Sequence, residues 1–115
     1  MKDSPLVNKS ISLSLLVISY VSELKKSHLH SISDQLLKSA TSVGANIHEA
    51  QFAESKADFI HKLKVSEKEV NETIYWLTLC QRHDTIVSPS SEIQDLTMAL
   101  KRMLRSSITT LKNKQ

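Results

Sequence analysis

Breakers are scarce in this chain, with one Gly and two Pro in 115 residues. An all-β domain needs frequent turns, and turns draw on Gly and Pro, so their scarcity points to an all-α protein. One Gly also rules out a glycine-rich phosphate loop. The single Cys, Cys80, has no intrachain disulfide partner, so nothing suggests an oxidising compartment and the cytoplasm is the expected location. Long apolar runs are missing too. The richest segment, Ile11 to Val21, is interrupted by Ser12, Ser14 and Ser19, short of the ~18 residues of a membrane span. No small-residue cleavage site follows it, so neither a membrane span nor a signal peptide is expected.

What is present is the composition of one soluble globular domain over residues 1–115, long enough to bury roughly two-thirds of the unfolded surface. The net charge is +3, which is compatible with a nucleic-acid partner but common among proteins without one. Its distribution is more telling: the twenty residues after Asp95 carry Lys101, Arg102, Arg105, Lys112 and Lys114 and no acid.

Four amphipathic segments follow one another, predicting helices over 4–27, 30–51, 55–83 and 89–113. Ser4-Pro5 suits the first start, since Ser caps free amides and Pro fits the first helical position. That helix carries Leu6, Leu13, Val17, Tyr20 and Leu24 on one stripe, and Ile11, Leu15, Ile18 and Val21 on a neighbouring arc. Together they are wider than a surface helix needs. Two explanations stand: a central place in the bundle, or cover by another subunit. Ser31-x-x-Asp34 and Ser55-x-x-Asp58 resemble capping boxes for the second and third helices, and Ser88-Pro89 repeats the Ser-Pro start for the fourth. Short links between consecutive helices predict an antiparallel up-down-up-down four-helix bundle.

The centre of the chain, Gln35 to Leu79, has two peculiarities. Small residues (Ser39, Ala40, Ser42, Gly44, Ala45) cross the second helix, and Gly44 costs about 1 kcal/mol there relative to Ala, which fits a neighbouring backbone passing close. Amides and carboxylates (Asn46, Glu49, Glu69, Asn71, Glu72) lie among apolar positions, suggesting a buried polar network that specifies helix pairing. Trp76, with Tyr75, is expected to add buried area near the end of the third helix. Ser39, Ser42, Gly44, Asn46, Glu49, Glu72 and Trp76 are therefore the candidate packing residues.

Chemistry is harder to find. The five His show neither HExxH nor Glu-x-x-His spacing, so no metal and no cofactor are expected. Cys80 reads as a small buried hydrophobe. Arg82 is followed at once by His83, not four to six residues later as in one class of helical ribonuclease. Glu49 and Glu72 admit an acid/base reading, but partnership in a polar network is the simpler one. Lys101, Arg102, Arg105 and Lys112 fall within about 100° of arc opposite the fourth helix's apolar stripe. That arc is either a solvated face or a phosphate-contacting surface. In a monomer, four such cations bind weakly and lose affinity with salt; in a ring of identical subunits they would be multiplied.

Gln35-Leu36, Ser39-Ala40-x-Ser42-Val43-Gly44-Ala45-Asn46-Ile47-x-Glu49, Asp58-Phe59 and Glu72-Thr73-x-Tyr75-Trp76-Leu77 resemble the four-helix-bundle family named after proteins encoded in 23S rRNA intervening sequences. Ala50 stands where that family usually has Gly. The resemblance implies a bacterial, cytoplasmic, non-enzymatic homo-oligomer, a pentameric barrel of four-helix protomers. A related branch, the accessory proteins of diversity-generating retroelements, is basic and binds nucleic acid and a reverse transcriptase. By that likeness the alternative function is a nucleic-acid-binding accessory module working with a partner enzyme, its RNA or DNA held by Lys101, Arg102, Arg105 and Lys112.

Overall fold

The computed structural model describes residues 4–114. Four helices follow in order: α1 (Pro5–Lys26), α2 (His30–Ala50), α3 (Lys56–Arg82) and α4 (Ser91–Asn113), with no strand among the described residues. Close packing joins α1 to α2, α2 to α3, α3 to α4 and α4 to α1, while the diagonal pairs do not approach. Helices in chain order thus stand at the corners of a square, the up-down-up-down bundle that short links dictate.

The helix ends follow from capping chemistry. The Ser4 hydroxyl accepts from the Val7 amide at 3.3 Å, with Pro5 at the first helical position. At α3, Ser55 Oγ accepts from the Asp58 amide at 3.0 Å and Asp58 Oδ2 accepts from the Glu54 amide at 3.1 Å. Two expected starts shift. Ser31 does not cap α2, which begins after Leu29 without a side-chain cap. There Asp34 pairs instead with Lys25 at 3.2 Å, and Ser33 Oγ donates back to the Leu29 carbonyl at 2.6 Å. At α4 the cap is Ser90, accepting from the Ile93 amide at 3.2 Å, so Pro89 stays outside the helix. Between α1 and α2, His28 adopts φ 63°, the left-handed position that usually takes Gly.

Leu13, Val17, Leu36, Val43, Ile47, Val70, Leu100, Leu104 and Ile108 form the fully buried centre of the core. Cys80 is buried with them, as its reading as a small hydrophobe required. Burial pushes the Tyr20 phenol well above its ordinary range, and its hydroxyl donates to the Val87 carbonyl at 2.6 Å, tying the α3–α4 connection to α1.

The small residues of α2 serve two neighbours. A Cβ placed on Gly44 would lie 3.2 Å from Ser10 Oγ of α1, so α1 passes closely there. On the other flank, Ser66 Oγ of α3 donates to the Val43 carbonyl at 2.9 Å, and the Ser39 and Thr73 hydroxyls bond across the α2–α3 seam at 2.9 Å. Among the described residues every buried polar residue is a Ser or Thr, and none of their oxygens lacks a partner. The expected network of amides and carboxylates is a correction: Glu49, Asn71 and Glu72 are exposed, Asn46 bonds its own helix, Nδ2 donating to the Ser42 carbonyl at 2.8 Å, and Glu69 alone of the set is a partly buried carboxylate, its carboxyl pushed up by that burial. Tyr75 is likewise 56% exposed, and Trp76 is half-buried. Long polar side chains reach water from these flanks, while short hydroxyls bond the helix backbone without leaving the core.

Candidate functional site

Three surface features can bear function, and each is fixed by helix geometry. First, α1 presents an apolar ridge. Ile11, Leu15 and Ile18 are 52%, 61% and 49% exposed, although Val21 of the same arc is buried. Spacings of four and three put the three on one outward strip. From Ser10 to Ser22 the helix has no charged residue, so the ridge is uncharged along its length. By length and composition α1 could also cross a bilayer, but Leu13, Val17 and Leu24 bury its inner face against the other helices.

Beside the ridge runs a groove between α1 and α2, lined by Val7, Ser10, Ile11, Ser14, Leu15 and, from α2, Thr41, Gly44, Ala45 and His48. On the opposite side of the square, between α3 and α4, a second shallow groove is lined by Ile74, Leu77, Thr78, Gln81, Gln94, Thr97 and Met98. Its lining too is uncharged, and Met98 there is exposed.

The third feature is a basic seam. Arg105 of α4 donates to Glu67 of α3 through both Nε (2.7 Å) and Nη2 (2.6 Å), a bidentate pair. Its guanidinium holds the Glu67 carboxyl below the usual Glu range against the opposing effect of partial burial, with Lys101 and Lys64 adding in the same sense. Lys64 also pushes the Lys112 ammonium down from its ordinary value, and Arg105 adds to this. The structure therefore brings Lys101, Arg105 and Lys112 to the α3 flank of α4, not opposite its apolar stripe. It does not bring Arg102 there: a turn of 100° per residue separates Arg102 from Lys101, and it forms no ion pair among the described residues. Sequence reasoning missed Lys64 and Glu67. Their i,i+3 spacing on α3 was visible, but nothing in it says which helix they face.

Glu49 and Glu72 are not brought together. Glu49 pairs with Lys62 at 2.9 Å, and Glu72 accepts from Trp76 Nε1 at 3.1 Å, ten residues beyond Lys62 or about 15 Å along α3. An acid/base pair has no geometric support there. No cluster of three His, Cys, Asp or Glu suited to a metal occurs among the described residues.

A model of the 23S rRNA-intervening sequence proteins matches residues 2–106. The chain belongs to this family. A solved structure from Bacteroides thetaiotaomicron VPI-5482, described as a protein with unknown function from the S23 ribosomal protein family, is 34% identical. It matches 90% of this chain and 97% of its own length with a TM-score of 0.81, so the four-helix arrangement is shared along nearly the whole of both. No protein with a curated description matches. Family membership thus accounts for the central motif and the bundle.

Proposed function

We propose that this protein is a non-enzymatic homo-oligomeric scaffold, assembled through the uncharged ridge of α1. The observation that carries the reading is the exposure of Ile11, Leu15 and Ile18 on a helix whose inner face is already fully packed. Three adjacent half-exposed aliphatic side chains favour burial by roughly 1 kcal/mol each.

A second copy is the fitting occupant because the protomer itself carries a matching surface. The α1 ridge is uncharged from Ser10 to Ser22, and on the opposite side of the square the α3–α4 groove has an uncharged lining, with the basic seam between the same two helices. A contact between unlike faces is head-to-tail, and such contacts close into rings when the rotation permits. Five is the number proposed, by the family resemblance. Light scattering across a size-exclusion peak tests this: a mass of several protomers supports the scaffold, five supports the pentamer, and a monodisperse monomer at micromolar concentration refutes both.

A second reading draws on the basic seam. Lys64, Lys101 and Arg105 crowd about one carboxylate, Glu67, which Arg105 already engages. Repeated around a ring, the surplus positive charge would suit the phosphates of RNA or DNA, in the manner of an accessory module for a nucleic-acid enzyme. Absorbance at 260 nm in excess over 280 nm across the same peak, removable by salt, is the expected result. Undiminished retention on nucleic acid after Lys101→Gln and Arg105→Gln would refute the seam as its site.

A further inference from the structure

Tyr75 is 56% exposed on the helix that also supplies Lys64 and Glu67 to the basic seam. We infer that the outward strip of α3 binds single-stranded nucleic acid, an unpaired base stacking on Tyr75 while Lys64, Lys68, Lys101 and Arg105 hold the adjoining phosphates. The inference rests on the nucleic-acid reading of the seam above, and names the form of nucleic acid that the seam takes.

Lys64, Lys68, Asn71 and Tyr75 follow one another on α3 at helical spacings, and at 100° per residue Lys64 and Tyr75 point within about 20° of each other. All four are exposed. The α3–α4 contacts fix what lies beside them. Arg105 bonds Glu67, and Lys56 reaches the Lys114 carbonyl, so the two helices run antiparallel. Lys101 therefore stands one turn beyond Arg105 in the direction of Tyr75, which lies eight residues or about 12 Å along α3 from Glu67. Cations occupy one end of the strip and the ring the other. The carboxylate set among the cations, Glu67, is already engaged by Arg105. Glu72, three residues before Tyr75, accepts from Trp76 Nε1 at 3.1 Å. Trp76 in turn meets the Tyr75 ring edge to face, with 5.0 Å between centroids, so that ring is buttressed while more than half of it faces water. A line of cations that ends on an open aromatic ring suits a strand whose phosphates and base faces are both accessible. In a duplex the base faces are covered by their neighbours, and an acidic peptide would use the cations and leave the ring idle.

The test is fluorescence anisotropy of the full chain with one mixed-sequence oligonucleotide, prepared as single-stranded RNA, single-stranded DNA and duplex DNA, and with polyglutamate as competitor. The expected result is tighter binding of the RNA strand, the DNA strand or both than of the duplex. Tyr75→Ala should weaken single-strand binding about tenfold, Tyr75→Phe should restore it, and neither should move duplex binding. Circular dichroism should show unchanged helicity in both variants, because the side chain is exposed. Single-strand affinity that survives Tyr75→Ala overturns the inference and leaves the seam standing as a phosphate site. Equal affinity for single strand and duplex overturns it as well. So does polyglutamate that competes as strongly as the single strand, by assigning the strip to an acidic protein. Binding of no nucleic acid at low salt removes the seam reading itself and this inference with it.

Discussion

Leu15→Glu tests the proposed assembly, because it distinguishes packing within the protomer from contact between protomers. Leu15 is 61% exposed, and its neighbours one turn away, Ile11 and Ser19, offer no cation to pair with a new carboxylate. In the isolated protomer the change is nearly silent, because Leu and Glu have similar helix propensities and exposed substitutions cost within about 0.5 kcal/mol. In the assembly two losses add. Full burial of a Leu contributes about 1.5–3 kcal/mol, so covering the exposed part contributes about 1–2 kcal/mol. An unpaired carboxylate enclosed in an uncharged interface costs several kcal/mol more. A combined loss near 4 kcal/mol raises the dissociation constant about a thousandfold. Sedimentation velocity over a concentration series measures it, alongside thermal melts at a dilution where both proteins are monomers. Unchanged mass and concentration dependence would refute the assignment of the ridge as an interface. A large fall in the monomer's melting temperature would refute it differently, by making Leu15 part of the protomer's own packing.

Three further outcomes follow from contacts within the protomer. For Ser39 and Thr73, whose hydroxyls bond at 2.9 Å in the core, a double-mutant cycle with Ser39→Ala and Thr73→Val should give a coupling of about 0.5–1.5 kcal/mol by urea unfolding. Each hydroxyl keeps a carbonyl of its own helix, Leu36 or Glu69, so neither single variant orphans its partner, and a coupling of zero would deny the cross-helix bond. Glu67 has its carboxyl lowered by Arg105, so its contribution is present above the ordinary Glu value and is lost as pH falls through the lower folded value. The melting-temperature advantage over Glu67→Gln should therefore shrink in acid, and an advantage constant from pH 7 to pH 3 would contradict the pairing. His28 is exposed in a left-handed turn, so His28→Gly should stabilise by about 0.5–1 kcal/mol, and destabilisation in the same urea assay would show that the imidazole contributes to the turn.

The number, order and core faces of the helices were legible because each rests on a local rule: stripe spacing, a Ser beside a helix start, a short link. Ser4, Ser55 and their partners obeyed those rules closely. Ser31 did not, because Asp34 found Lys25 across the turn, a partner the local pattern does not contain. The interior polar groups were misread for a related reason. Asn and Glu point to a buried network by their hydrogen-bonding capacity, yet the buried polar residues are Ser and Thr, whose short side chains bond the preceding helical turn and still face a neighbour. Gly44 was readable as a close approach, but not as an approach by α1. The basic seam shows the same limit, since half of it comes from α3.

The excess width of the α1 face is where sequence reasoning came nearest to function. At 100° per residue, Leu13 and Leu15 point about 200° apart, and in a square of four helices α1 touches only α2 and α4. Leu13 is fully buried, so no rotation of α1 within one protomer can bury Leu15 as well. Apolar periodicity counts faces and cannot say what covers them, which left a central helix and a subunit interface equally open. The square arrangement removes the first by leaving no fifth helix among the described residues to receive the ridge. Cover for it has to come from outside the bundle, and the proposed scaffold assigns that role to the α3–α4 groove of a second copy.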